Sequence, residues 1–211
     1  MTCVIFCGGR ITNYEYIKKY LDGADLIIAA DSGARHCREL KLKPGILLGD
    51  FDSIDKSDWD MFNGSVTEIL RYPSEKDMTD SELAIEIALE RGCSKVILLG
   101  AVGSRLDHSL SNILLLKKLT DHDCEGLIAD EKNEIRLIRD SIELKRQNGA
   151  FVTLLPMAGN ARGVSTIGLR FPLSDAVLEV GSSWGVSNEF SENTAVVSVK
   201  AGYLLVILSR D

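Results

Sequence analysis

From Thr2 to Ala129 short apolar, β-branched runs alternate with longer amphipathic ones, and nothing else in the sequence restricts the fold as strongly. Thr2 to Cys7 reads as a buried strand closed by Gly8-Gly9, followed by a helix near Asn13 to Leu21. Asp25 to Ala30 is a second apolar strand, Ala34 to Leu42 a helix, and Ile46 to Leu48 a third strand running into Gly49. Val96 to Leu99 begins the cycle again, with a helix from Leu106 to Leu119 and an extended stretch from Leu127 to Ala129. Strands that are apolar throughout and separated by helices need cover on both faces, which predicts βαβ crossovers and a largely parallel sheet. Thr79-Asp80-Ser81-Glu82 has the form of a capping box, with Leu83, Ile87, Ala84 and Ala88 on the buried stripe and Gly92 as its end.

The pattern changes near residue 140. Short extended segments follow one another: Phe151 to Leu155, Gly163 to Thr166, Ala176 to Val180, Ala195 to Val199 and Tyr203 to Leu208. Glycines and the prolines Pro156 and Pro172 punctuate them, as in a small antiparallel sandwich or barrel. The expected fold class is therefore an α/β N-terminal domain over residues 1–139 with a largely parallel sheet, and an all-β C-terminal sandwich over residues 140–211. The boundary rests on the change of periodicity alone.

Composition narrows the function. A formal net charge of -7 argues against a nucleic-acid partner, which would need a positive face, whereas surplus carboxylates suit a metal that bridges to a polyphosphate, or a cationic substrate. Five scattered cysteines with no CxxC spacing predict neither a disulfide framework nor a structural zinc site. No apolar run approaches the roughly 20 residues of a membrane helix, and Met1-Thr2-Cys3-Val4-Ile5-Phe6 lacks a signal-peptide start, so the expectation is a cytoplasmic protein with no membrane contact.

Several acidic and glycine-rich turns fall where strands end. Gly49-Asp50-Phe51-Asp52-Ser53 follows a predicted parallel strand, and in an extended backbone Asp50 and Asp52 would point the same way and share a cation; taken alone, it is as readily an acidic turn. Lys76-Asp77-Met78-Thr79-Asp80 opens the capped helix, where one carboxylate would merely complement the dipole. Two are more than capping needs, and Asp50, Asp52 and Asp80 together could hold one or two Mg²⁺ ions. Gly100-Ala101-Val102-Gly103-Ser104-Arg105-Leu106-Asp107-His108 joins a strand to a helix and could cradle phosphates through its amides and Arg105. It is neither a P-loop nor a GxGxxG fingerprint, and the plainer reading is a strand-to-helix turn capped by Asp107, with a structural His108. Asp31-Ser32-Gly33-Ala34 repeats the placement. In the last third, Ser182 to Glu189 gathers polar groups around Trp184, suited to stacking on a flat heterocycle or equally to a core tryptophan beside a turn. Trp59 reads as packing, and Cys3, Cys7, His36 and Cys37 as ordinary core or surface residues.

With these segments assembled, the chain resembles the bacterial thiamine pyrophosphokinases over nearly its whole length. The resemblance lies in Ala30-Asp31-Ser32-Gly33-Ala34, Gly49 to Ile54, Lys76 to Asp80, Gly100 to His108 with Asn112 beyond, and Ser187-Asn188-Glu189. It implies transfer of the pyrophosphoryl group of ATP to the hydroxyl of thiamine, with release of AMP, by a homodimer whose active sites lie between subunits. It further implies Asp50, Asp52 and Asp80 as magnesium ligands, and Arg105 and Asp107 beside them in catalysis. Asp31, Ser32, Gly33, Asp77, Gly103, His108 and Asn112 would serve the ATP side, and Trp184, Ser187 and Asn188 the thiamine side, from the partner subunit. Either Asp80 or Asp107 would accept the alcohol proton. Ser32, Arg35 and Ser104 depart from the family's usual residues and bear on loop conformation. Competing readings are a pyrophosphokinase for another hydroxymethyl heterocycle such as a pterin, a non-catalytic nucleotide or vitamin sensor, and, lower still, a dehydrogenase.

Overall fold

A computed structural model describes residues 1–52, 54–63 and 68–211. The chain divides into two compact units, Met1–Glu131 and Lys132–Asp211.

In the first unit the elements run β1 (Thr2–Phe6), α1 (Tyr14–Ile17), β2 (Leu26–Ala30), α2 (Ala34–Glu39), β3 (Ile46–Gly49), α3 (Lys56–Phe62), β4 (Glu68–Arg71), α4 (Asp80–Glu90), β5 (Lys95–Leu99), α5 (Leu106–Asp121) and β6 (Glu125–Ala129). The strand order is β4-β3-β2-β1-β5-β6, and the pairs are parallel, as the alternation predicts. Val4, Phe6, Ala29, Leu47 and Ile97 pack with Ile17, Cys37 and Phe62 on one face. Side chains alternate along a strand, so Cys3, Ile5 and Leu98 turn to the other, and all are fully buried. Each buried Ile, Leu or Phe contributes roughly 1.5–3 kcal/mol, which explains why these strands carry no polar face.

The structure adjusts two helices. In place of one helix from Asn13 to Leu21 there is a single α-turn, capped by the Asn13 side chain on Tyr16 N at 3.0 Å, and then a 3₁₀ turn over Lys18–Tyr20. α2 stops at Glu39, not Leu42, because Lys41 turns left-handed (φ +54°) and Leu42 N reaches back to Cys37 O at 2.8 Å, a Schellman closure without glycine. α4 begins as expected, with Glu82 N donating to Thr79 Oγ1 at 3.2 Å, but the Glu82 carboxylate accepts from Lys118 instead of closing the box.

The second unit is antiparallel and strand-rich: β7 (Asn133–Ile138), β8 (Ser141–Lys145), β9 (Phe151–Ile167), β10 (Ala176–Leu178), β11 (Asn188–Glu189), β12 (Thr194–Ser198) and β13 (Ala201–Ser209), in the order β7-β13-β9-β12-β8 with β10 and β11 also on β9. The segments expected at Phe151 and Gly163 are one strand. Ala158 (φ +56°), Gly159 (φ +126°) and Gly163 (φ +67°) bend it without ending it, so it pairs with β13 at one end and β12 at the other. Val152, Leu154, Val164, Val197 and Val206 close the core between the two layers. β7 belongs to this unit, ahead of the pattern change near residue 140. Among the described residues no helix is long and apolar enough to cross a membrane.

Candidate active site

In the first unit the strand order changes direction at β1, with β2, β3 and β4 on one side and β5 and β6 on the other. An open parallel sheet leaves a crevice beyond the carboxyl ends of its strands at such a point. The turns after β1, β2, β3 and β5 and the entry to α4 meet there and line a cleft of about 880 Å³. Their backbones are nearly in contact: Gly9 N donates to Gly100 O at 2.8 Å, and a Cβ at Gly33 would stand 2.0 Å from Phe6 O. Gly33 is thus required by packing, while Ser32 lines the cleft.

The carboxylates converge. One oxygen from each of Asp31, Asp50 and Asp52 lies within 4.8 Å of the others. They do not meet by the extended geometry expected of Asp50-Phe51-Asp52. Phe51 is left-handed (φ +66°), and Asp52 N donates back to Asp50 Oδ1 at 3.1 Å, so a tight turn brings the pair together. That backbone bond is also the main reason the Asp50 carboxyl is held below its ordinary range. Asp31, also left-handed (φ +47°), is 9% exposed, and its Oδ1 has no hydrogen-bond partner among the described residues. Burial pushes its pKa up, the Ser32 amide opposes this, and the charges of Asp80, Asp50 and Asp52 push it further. An orphaned carboxylate oxygen facing two more carboxylates is an oxygen-only donor set, which fits a hard divalent cation. Asp80 stands apart from that trio, its Oδ1 3.2 Å from Lys76 Nζ. Asp77 is exposed and outside the cleft lining.

Arg105 lines the cleft and forks onto Asp107, which does not, Nε to Oδ1 at 3.3 Å and Nη2 to Oδ2 at 2.6 Å. The Arg105 bonds, and then the His108 amide, hold the Asp107 carboxyl at about 2. Asp107 is not the cap of α5; Arg105 occupies that position without a side-chain cap bond. Gly103 N donates to Ser109 Oγ at 3.0 Å, and Asn112 Nδ2 to Ala101 O at 2.7 Å, so Asn112 secures the loop from behind. His108 is exposed and lines the cleft. His36, read from the sequence as an ordinary core or surface residue, is a core residue that also supports the site. It is fully buried, with Nε2 2.8 Å from Gly9 O and Nδ1 2.8 Å from the Tyr14 hydroxyl. A carbonyl only accepts, so Nε2 carries the proton and Nδ1 accepts from Tyr14, which pins the Gly8-Gly9 turn. Arg35 donates to both Gly8 O and Gly9 O from the cleft side. Only a histidine in a predicted helix hinted at this.

In the second unit Trp184 is 62% exposed and so is not core. Ser187 is left-handed (φ +59°), its amide donating to Thr153 Oγ1 at 3.0 Å. Asn188 uses both ends of its amide on Phe171, Oδ1 accepting from the backbone N–H at 3.0 Å and Nδ2 donating to the carbonyl at 2.7 Å. Trp59 packs on Phe51, with ring centroids 5.1 Å apart.

Two family models match this chain: thiamin pyrophosphokinase, catalytic domain, over residues 17–128, and thiamin pyrophosphokinase, vitamin B1 binding domain, over residues 139–204. The chain belongs to the thiamine pyrophosphokinase family. Thiamine pyrophosphokinase of Bacillus subtilis is 29% identical over 213 residues, covering 100% of this chain and 99% of its own. The crystal structure of a Bacillus subtilis thiamine pyrophosphokinase superposes with a TM-score of 0.91 at 26% identity, covering 100% of both chains. Thiamin pyrophosphokinase from Candida albicans, at 16% identity, shares the fold with a TM-score of 0.85, covering 100% of this chain and 89% of its own. The match over residues 139–204 leaves the pterin alternative without support, since such an enzyme should lack this part.

Proposed function

We propose that this thiamine pyrophosphokinase family member transfers the pyrophosphoryl group of ATP to the hydroxyl of thiamine, giving thiamine diphosphate and AMP. The observation that carries the reading is the convergence of Asp31, Asp50, Asp52 and Asp80 with the Gly100–Arg105 loop on one cleft. Its volume of about 880 Å³ is in the range of sites that enclose a ligand the size of a nucleotide.

Asp31, Asp50 and Asp52 would hold Mg²⁺, with Asp80 beside them. When bound, the ion would neutralise the polyphosphate and ease attack at phosphorus. The chain's own groups do the rest. The amides of the Gly100–Ser104 loop and the Arg105 fork would orient the phosphates and stabilise the AMP that departs. Asp107 positions that fork. Either Asp80 or Asp107 would accept the alcohol proton. Ser32, Gly103, His108 and Asn112 would shape the ATP side. Trp184 would stack on thiamine from a loop that Ser187 and Asn188 hold in place.

We infer a homodimer in which the partner supplies the thiamine side. Leu106, Leu110 and Leu114, one helical turn apart on α5, are 78%, 53% and 52% exposed, and Phe171 and Trp184 stand in solvent in the second unit. A second chain would cover apolar surface of this kind. Incubating the purified protein with ATP, Mg²⁺ and thiamine should yield AMP and thiamine diphosphate in equal amounts. Formation of ADP would reassign it to ordinary kinase chemistry, and binding of both substrates without AMP would favour the sensor reading.

A further inference from the structure

Four carboxylates and one ammonium share the cleft of the first unit: Asp31, Asp50, Asp52, Asp80 and Lys76. The Lys76 side chain is 14% exposed; its Nζ lies 3.2 Å from Asp80 Oδ1 and 4.0 Å from Asp50 Oδ2, and donates to Pro73 O at 3.2 Å. Asp50 therefore belongs to two adjoining cation positions. With Asp31 and Asp52 it forms an all-carboxylate position. With Asp80 it forms one that the protein's own ammonium fills. Helix stability does not account for this lysine, because it precedes the N-cap of α4, where the helix dipole disfavours a positive charge.

Resting on the function proposed above, we propose that Lys76 is a displaceable counter-ion: in the nucleotide-free protein it occupies the Asp50–Asp80 side of the cluster, and on ATP loading it passes to the polyphosphate, freeing both carboxylates for a divalent cation. An ammonium suits this exchange because it is a compact charge on a flexible four-carbon stem and can change partners without backbone movement. Lys76 and a divalent ion cannot share the position, so nucleotide binding and ion entry are coupled. By linkage, each strengthens the other by the same factor.

The test is a Mn²⁺ titration of the full chain, with free ion read by electron paramagnetic resonance, with and without a non-hydrolysable ATP analogue. Lys76→Met should bind Mn²⁺ about tenfold more tightly than wild type without nucleotide, because a repelling charge has gone. The enhancement that the analogue gives to Mn²⁺ binding should shrink by a similar factor, and the analogue itself should bind more weakly. Lys76→Arg, which keeps the charge, should follow wild type and so separates charge from shape. A folded Lys76→Met protein, by circular dichroism and thermal melting, that binds Mn²⁺ no more tightly than wild type overturns the proposal. Should Lys76→Met not fold, Lys76→Gln takes its place with the same expected and opposing results. The AMP assay is separate: its failure in wild type strikes the thiamine reaction, whereas the isotherms alone decide the counter-ion.

Discussion

Replacing Asp31 by Asn removes one negative charge from a cluster that, without a cation, repels itself. The backbone accepts the change, since φ +47° is a left-handed conformation that asparagine tolerates and the two side chains have the same shape. Asp31 meets Asp50 and Asp52 with ligand atoms within 4.8 Å. At that distance a like-charge pair costs about 3.5 kcal/mol at an effective dielectric of about 20, and about 0.9 kcal/mol in bulk water. Asp52 is exposed and Asp50 only half-buried, so the screened value applies and the two pairs together come to about 2 kcal/mol. The new amide leaves N–H groups imperfectly satisfied at a cost of about 1 kcal/mol. The metal-free variant should therefore be about 1 kcal/mol more stable than wild type, with a melting temperature higher by about 2–4 °C. Its AMP production should fall on the order of a hundredfold, as for loss of an electrostatic partner of the transition state. Calorimetric melts in EDTA and in excess Mg²⁺ test both halves. A lower melting temperature in EDTA, or a gain from Mg²⁺ equal to that of wild type, would refute the reasoning.

The buried His36 gives a pH signature: burial first of all lowers its pKa from 6.5 to about 4, so between those values the unfolded chain takes a proton that the folded chain refuses. Its contribution is complete above about pH 6.5 and is lost as pH falls toward 4, about 3 kcal/mol in all, and His36→Gln should flatten that limb of the stability profile measured by denaturant melts. Gly100→Ala puts a methyl 2.7 Å from Cys7 O at φ +67°, and should cost about 1–3 kcal/mol more than Gly92→Ala, which has a similar φ of +76° but nothing within 4 Å. Asp52→Asn should lower turnover by on the order of a hundredfold with the fold intact, and near-normal AMP release would remove Asp52 from the metal set. Leu110→Asp should leave a folded chain that sediments as a monomer at concentrations where wild type is dimeric; unchanged sedimentation would place the interface elsewhere.

The parallel sheet was legible because its strands are apolar without interruption, and that pattern has one physical solution. Turns that depend on left-handed backbone were not. Phe51, Asp31 and Lys41 carry no glycine to announce a positive φ, so the way Asp50 meets Asp52, the part played by Asp31 and the early end of α2 all appeared only in three dimensions. Glycine misled in the opposite sense in β9, where Gly159, between the segments expected at Phe151 to Leu155 and Gly163 to Thr166, looks like a break and acts as a bend. The segments that build the cleft could be named from their positions after strands. Lys76 and His36 could not be given roles, because nothing along the chain says that a lysine three residues before a cap will reach back to Asp50, or that an imidazole will hold a glycine turn from beneath. Ser53, expected within the acidic turn, lies outside the described residues.

The long strand Phe151–Ile167 has a consequence for how the protein is made. Every parallel neighbour in the first unit has been synthesised once Ala129 is added, so that lobe can condense as soon as it clears the ribosome, while translation of the rest continues. The other lobe must wait. Apart from the short pairing of Asn188 and Glu189 with Val152 and Phe151, its bent strand gains its long mate along Phe151 to Met157 when Ala201–Ser209 arrives, and until then that edge of open amides and carbonyls stands unsatisfied. Nascent chains stalled before that last segment should therefore be the ones that holdase chaperones seize.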